Sequence, residues 1–178
     1  EVYSNCEQVE LFLNGKSLGT KARPSDDAPR TWKVAFEPGT LRAVGSNGGK
    51  TSATHELRTA GKPARVQLSA DRARLAPAWD DVAYVTATVV DANGVIVPNA
   101  ADLVTFRVTG PGRVVAVDSG DNASHEPFQA SERKAYQGRC FAILKANASR
   151  GRINVNASAP GLAGGSIHLA AAPPARNR

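Results

Sequence analysis

The chain has 178 residues, of which 42% are hydrophobic and 21% charged, and its formal net charge is +6 at pH 7. This balance is ordinary for a folded globular protein and excludes a disordered, highly charged chain. No apolar run approaches the ~20 residues of a membrane-spanning helix, so no membrane partner is expected. Positive and negative charges are interspersed along the sequence, which argues against a nucleic-acid partner despite the basic balance.

The first predicted element is a β-hairpin over residues 9–19, VELFLNGKSLG. Hydrophobic residues recur at every second position from Val9 to Leu13, the period of a strand with one buried face. Asn14 and Gly15 follow at once, and both tolerate the positive φ that the tightest hairpin turns require. The spacing therefore predicts two antiparallel strands joined by a two-residue turn.

Further short strands are predicted across the rest of the first sixty residues. The segment TWKVAF (31–36) alternates in the same way, and Pro-Gly leads from it into TLRAVGS (40–46). Asn-Gly-Gly then turns the chain into KTSATHELRT (50–59). An all-β unit is expected over residues 1–61. Since the chain has no Met and starts within a residue or two of a strand, we interpret it as a piece of a longer polypeptide.

A domain boundary is predicted at Ala60-Gly61-Lys62-Pro63, where the strand pattern is interrupted. The second unit, residues 62–172, shows seven strand-like runs with turn signals at regular intervals, which favours an immunoglobulin-like sandwich. Residues 173–178 are expected to form a disordered tail. The seven runs are RVQLSAD, AYVTATVVD, LVTFRVTG, RVVAVDSG, GRCFAILKA, GRINVNASA and GSIHLAAA.

No pattern in the sequence predicts catalysis, a metal site or a cofactor. Nucleophile elbows, zinc-binding helices, phosphate loops and dinucleotide fingerprints are all missing from the sequence. Cys6 and Cys140 lie far apart in apolar strand contexts, where a free cysteine behaves as a small hydrophobic residue. A long-range disulfide between them is the alternative.

Residues 118–139 form the longest predicted loop of the second unit, and long loops in compact domains are often functional. Its polar side chains Asp121, His125, Glu126 and Arg133 are candidates for contact with a carbohydrate or an ion.

A purely structural role is the alternative for this loop. In that case Phe128 and Tyr136 would close the end of the sandwich, while Arg133 would pair with a carboxylate. Trp79, in a separate loop, is a further candidate for sugar contact because exposed aromatic rings commonly provide the platform of sugar sites.

Two stretches carry a resemblance to a known family. VYSNCEQVELFLNGKSLGTK, followed by W-x-V-x-F-x-P-G-x-L-x-A-V-G, resembles the small β domain that follows the catalytic barrel in bacterial family 2 glycoside hydrolases of the β-galactosidase type. PARVQLSADR, DDVAYVTATVVDANGVIVPNA, LVTFRVTGPG and GDNASHEPFQASERKAYQG are similar to the immunoglobulin-like domain that comes next in those enzymes. LAPAWDD departs from the family, which tends to have a glycine-containing polar turn there.

The resemblance implies two consecutive β-sandwich domains, the first small and N-terminally truncated. It also implies a parent enzyme that hydrolyses a β-galactoside or related glycoside by a retaining mechanism. The two glutamates of that mechanism belong to a barrel domain that this chain lacks, so no catalytic residue is assigned here.

We therefore expect a non-catalytic C-terminal region that supports the catalytic barrel of the same polypeptide, or its assembly. One alternative is a carbohydrate-binding module that targets the parent enzyme to a polysaccharide; a second is an adhesin-like surface repeat. The protein is expected to be bacterial and to be periplasmic or extracellular rather than cytoplasmic. Its oligomeric state stays open.

Overall fold

A computed structural model describes residues 1–173, and these residues form thirteen β-strands and no helix. The all-β prediction is confirmed. Two compact units divide the chain, Glu1–Thr59 and Ala60–Arg178, beside the predicted boundary at residue 61. Apart from Pro173, the predicted tail lies outside the described residues. Within the described part, no helix is long and apolar enough to cross a membrane.

The first unit contains four strands, β1 (Gln8–Leu13), β2 (Lys16–Ala22), β3 (Thr40–Asn47) and β4 (Lys50–Arg58). They form one antiparallel sheet in the order β2-β1-β3-β4. The predicted hairpin is confirmed, with Asn14 at φ 50° and Gly15 at φ 82° in the turn. A second tight turn, at Gly48 and Gly49, joins the last two strands.

The strand predicted over residues 31–36 is wrong, since this segment has no ladder partner. Its Val34 and Phe36 side chains are exposed, Phe36 by 83%. The described residues of the first unit therefore present a single sheet rather than two stacked ones. Alternation in the sequence was not enough here, because a strand needs a neighbour to accept its backbone hydrogen bonds.

One face of this first sheet is covered near β1, where Val9 and Leu11 are buried. Gly45 lies opposite Val9 in the register, and a methyl group built on it would approach the Cys6 sulfur to 2.7 Å. The N-terminal segment thus packs directly on the sheet at a position that only glycine allows.

A buried arginine fixes the irregular segments of the first unit. The Arg30 side chain, 3% exposed, donates to the carbonyl of Ser4 at 2.9 Å and to that of Cys6 at 2.5 Å. Its Nε donates to the carbonyls of Lys21 and Ala22. Among the described residues no carboxylate pairs with this guanidinium. Its hydrogen-bond partners are therefore all backbone carbonyl groups.

The strands of the second unit are β5 (Arg65–Ala70), β6 (Arg74–Leu75), β7 (Ala83–Val90), β8 (Leu103–Thr109), β9 (Gly112–Asp118), β10 (Glu132–Lys134), β11 (Arg139–Ala146), β12 (Gly151–Ser158) and β13 (Gly165–Ala171). They form a sandwich of two sheets, in the orders β10-β8-β12-β13-β6 and β5-β7-β11-β9. All seven predicted strands are present. Two very short strands, β6 and β10, were not predicted, because two or three residues are too few to show an alternation.

The core of the second unit lies between its two sheets, as expected for a sandwich. Along β7 every second residue from Ala83 to Val89 is fully buried, and β11 contributes Ala142 and Leu144 in the same way. Cys140 belongs to this core, and burial raises the pKa of its thiol to about 12. Both cysteines of the chain are free, so no disulfide links them.

Asp91 ties the start of the second unit to the turn after β7. Its carboxylate is almost fully buried and accepts a hydrogen bond from the Gly61 amide at 2.8 Å. The other oxygen accepts from the amides of Asn93 and Val95 at 2.9 and 2.8 Å. These donors, Gly61 foremost, lower the pKa of the Asp91 carboxyl. The linker predicted from Gly61 is therefore anchored by backbone hydrogen bonds.

Candidate functional site

Arg133 is the organising residue of the predicted long loop. It lies on β10, which pairs with β8, and its side chain is 1% exposed. Nη2 donates to the Asp118 carboxylate at 3.0 Å, and Nη1 donates to the Glu126 carbonyl at 3.0 Å. Nε lies 3.4 Å from the Ser119 hydroxyl. The guanidinium thus holds both ends of the loop together.

Glu126 is committed to the same arrangement. Its carboxylate accepts from the Ser124 hydroxyl at 3.1 Å and from the Lys134 amide at 3.2 Å. The Phe128 ring covers the guanidinium of Arg133, with 5.3 Å between Cζ and the ring centroid, and remains 59% exposed. Arg133 and Glu126 are therefore in contact, and their polar atoms stabilise the loop.

Asp121 and His125 do not join this cluster through any hydrogen bond in the described residues. The Asp121 carboxylate accepts from the Ala123 amide at 3.0 Å, which is a local turn contact. His125 is exposed on the loop surface. Their predicted role in carbohydrate or ion contact stays a prediction.

Trp79 lies at the other end of the sheet. Its ring is 86% exposed, and its carbonyl accepts a hydrogen bond from the Lys145 ammonium. Lys145 is four residues along β11 from Phe141, which pairs with Asp118 at the start of the long loop. This separation corresponds to ~13 Å. The five predicted residues therefore do not form one site.

The outer face of the β5-β7-β11-β9 sheet carries features that the sequence pattern did not point to. Every second residue of β11 points away from the core, and we call these four residues the β11 strip: Arg139, Phe141, Ile143 and Lys145. The signal was present in RCFAILKA, whose buried set is Cys140, Ala142 and Leu144. The residues that alternate with this buried set belong to the opposite, outer face of the strand, so the same alternation predicts the strip.

An open cleft of about 500 Å³ lies beside one end of the β11 strip. Arg139 and Phe141 of β11 lie in the middle of its lining, and residues with hydroxyl groups lie on both sides of them. None of these hydroxyls other than that of Ser119 has a side-chain hydrogen bond within residues 1–173. The residues that line the cleft are Ser69, Thr86, Thr88, Ser119, Arg139, Cys140 and Phe141.

Aromatic and basic side chains extend the strip beyond the cleft. The Tyr84 and Phe141 rings lie 5.9 Å apart at 58°, and Tyr84 is 44% exposed. Farther along, Lys145 faces Arg113 directly across the β11-β9 ladder. Like charges in opposed positions destabilise a sheet, so this pair is a local cost of the isolated fold.

The described residues contain no group of three or more His, Cys, Asp or Glu side chains arranged to hold a metal ion.

Comparison with known proteins places the chain in a family. Residues 66–168, more than half of the chain, match the model of the glycoside hydrolase family 2 C-terminal domain 5. The chain belongs to the glycoside hydrolase family 2 C-terminal domain 5 family. Residues 1–53 match a separate domain of unknown function, DUF4982. The predicted resemblance to the C-terminal β domains of family 2 enzymes is confirmed.

Individual relatives agree with this assignment. The β-galactosidase BoGH2A of Bacteroides ovatus is 39% identical over 160 residues, which is 90% of this chain and 19% of that protein. A crystal structure of a family 2 glycosyl hydrolase from Bacteroides cellulosilyticus matches with a TM-score of 0.87 at 37% identity, over 94% of this chain and 22% of that one. A β-glycosidase from Bacteroides vulgatus matches with a TM-score of 0.90 at 28% identity, over the same shares.

The chain thus spans about a fifth of the length of these relatives. It corresponds to the accessory C-terminal region of family 2 enzymes, as the sequence predicted.

Proposed function

We propose that this chain is the non-catalytic C-terminal region of a β-galactosidase-type glycoside hydrolase and that it supports the catalytic barrel of the same polypeptide. The proposal rests on the difference between the share of this chain and the share of its relative that the similarity covers. A relative called a β-galactosidase is similar over 90% of this chain, yet that similarity occupies only 19% of the relative. The remaining length of such an enzyme leaves room for the barrel and its two catalytic glutamates.

Exposed apolar side chains of the first unit support a packing role. Phe36 is 83% exposed, Leu57 58% and Val34 38%. Burying such a side chain against another domain stabilises by ~1.5–3 kcal/mol. Leu57 shares its sheet face with Leu41 and Leu13, so the exposed side chain continues an apolar row of the sheet. We expect this face of the first unit to contact the rest of the parent enzyme.

The second unit suits a supporting role because its loops are preorganised. Arg133 holds the 118–134 segment through contacts with Asp118 and Glu126, and Asp91 holds the linker at Gly61. A rigid domain loses little conformational entropy when it packs against a neighbour, so more of the contact energy stabilises the complex.

For the parent enzyme we propose a retaining hydrolysis of a β-galactoside. The reaction is carried out entirely outside this chain, in a bacterial enzyme exported from the cytoplasm.

The test compares the full-length parent with the isolated 178-residue chain. Leu57→Asp should lower the melting temperature of the parent, where the proposal buries the Leu57 side chain against another domain. It should leave the melting temperature of the isolated chain nearly unchanged, because Leu57 is exposed there. Thr54→Asp provides the matched control, since Thr54 is exposed on the same strand and points to the opposite face. Equal melting of the parent with Leu57→Asp and Thr54→Asp would contradict packing on this face.

A second measurement separates support from catalysis. Once folded, the Leu57→Asp parent should keep its kcat for a chromogenic galactoside, because no reacting group comes from this chain. A loss of kcat at unchanged folding would contradict the assignment of the chain as non-catalytic.

A further inference from the structure

We propose that the outer face of the β5-β7-β11-β9 sheet binds an extended anionic polysaccharide, with uronate sugars lying along the β11 strip. The site differs from the apolar face assigned to the barrel, which belongs to the first unit. The inference goes beyond the proposed supporting role and does not depend on it.

The first argument is the charge of the strip. Arg139 lies at one end, and Lys145 with Arg113 at the other. None of the three forms an ion pair within residues 1–173. Two carboxylates lie next to the strip, and both are already paired: Asp118, opposite Phe141, is bound to Arg133, and Asp71, beside Tyr84, pairs with Arg72. The strip is therefore basic, and an anionic ligand would relieve the repulsion between Lys145 and Arg113.

The second argument is the chemistry between the charged ends. Ser69, Thr86 and Phe141 lie in one row across three strands, and Thr88 lies opposite Arg139 in the next. Free hydroxyl groups can exchange hydrogen bonds with sugar hydroxyls, both as donors and as acceptors. Tyr84 offers an exposed ring for the apolar face of a pyranose, and the partly buried Phe141 ring packs beside it.

The third argument is shape. Arg139 and Lys145 are six residues apart on β11, so the strip is ~20 Å long. Basic groups at both ends and aromatic groups in the middle suit a linear chain with repeated carboxylates. The exposed Trp79, whose carbonyl is bound by Lys145, lies at the far end of the same line. This places the predicted sugar-contact residue beside the strip.

A nucleic acid is the competing anionic ligand, and the ring geometry disfavours it. Base recognition without sequence preference uses aromatic platforms on which successive bases stack. Here the Tyr84 and Phe141 rings meet at 58° and pack against each other, which leaves no row of parallel platforms. Hydroxyl-rich neighbours also favour sugar over base contact.

The experiment is calorimetric titration of the 178-residue chain with a purified oligogalacturonide, a neutral oligogalactan of the same length and poly(U). We expect binding of the oligogalacturonide that weakens with added salt, no binding of the galactan, and weaker binding of poly(U). Arg139→Gln and Lys145→Gln should each reduce affinity for the oligogalacturonide about tenfold, as expected for one charge-assisted hydrogen bond.

Arg107→Gln is the matched control, because Arg107 is an exposed arginine on β8 of the opposite sheet. It should leave the affinity within about twofold of wild type. Three results would overturn the proposal: no binding of the oligogalacturonide, an equal loss in Arg107→Gln, or tighter binding of poly(U). Each result leaves the parent melting experiment unaffected, so failure here is distinguishable from failure of the supporting role.

Discussion

The two units solve the same burial problem in different ways. In the second unit two sheets face each other, and eighteen buried residues form one core. In the first unit a single sheet buries only Cys6, Val9 and Leu11 among its hydrophobic residues. The first unit therefore depends more on directed hydrogen bonds than the second, where apolar area does most of the stabilising.

The two buried arginines express this difference. Arg30 has only carbonyl hydrogen-bond partners, and its guanidinium joins two separate stretches of backbone in the first unit, residues 4–6 and 21–22. Arg133 pairs with a carboxylate and lies under an aromatic ring in the second unit. In the first unit little apolar area is buried, and the hydrogen bonds of Arg30 do part of the work that a second core layer would do. In the second unit a full core is present, and Arg133 fixes only a loop.

The largest expected effect is the unfolding of the first unit alone. Val9→Asp places an unpaired charge on a position that is 1% exposed and should cost at least about 4 kcal/mol. The first unit should unfold while the second keeps its transition. Scanning calorimetry of the whole chain, which can resolve one unfolding transition for each unit, would measure the loss, as would NMR spectra of the backbone amides. Val34→Asp, at an exposed position, is the control; an unchanged melt of Val9→Asp would show that the buried face is misassigned.

The arginines provide the next comparison. Arg30→Ala and Arg133→Ala should each cost about 3 kcal/mol, since each removes a buried charge and strands its partners. Urea unfolding of each unit would measure the loss. Asp118→Asn should reduce the cost of Arg133→Ala, because the stranded carboxylate is then absent. An additive double variant would show that the ion pair does not contribute.

Asp91 gives a stabilising effect that is present at neutral pH and is lost in acid. Because its folded pKa is lowered, its stabilisation is complete above the unfolded carboxyl value of ~3.9 and is lost as pH falls through the lower folded value. Asp91→Asn should therefore destabilise the second unit at pH 7 and flatten its stability between pH 5 and pH 2. Chemical unfolding across that range measures this; parallel curves for both proteins would contradict it.

The smallest effect concerns turns. Gly15→Ala keeps the hairpin of the first unit but forces alanine to φ 82° in open space, which should cost about 1 kcal/mol. Gly138→Ala in the second unit should cost more, because at φ 76° the added methyl would also meet the Val97 carbonyl. Thermal melts of the two variants test the order, and equal costs would mean that the backbone relaxes at Gly138.

The candidate site was only partly predictable from the sequence. The long loop was recognised from its length and polarity, and Arg133 was assigned a carboxylate partner as one alternative. Trp79 was predicted as a candidate in a separate loop, but only the structure shows that it lies most of a strand away from the long loop. Distances between loops depend on the order of the strands in the sheet, and local sequence periodicity does not predict that order.

The sequence by itself determined the hairpin at Asn14-Gly15 and the seven strands of the second unit. Local periodicity and turn residues suffice for these, because they act between near neighbours along the chain. The family was predicted from the sequence in another way, by the resemblance of whole stretches to family 2 enzymes. Tertiary structure alone decided that residues 31–36 form no strand, that Arg30 is buried among carbonyls and that Lys145 faces Arg113. Each of these outcomes depends on which distant segment lies alongside, and pairing between strands is a property of the folded chain.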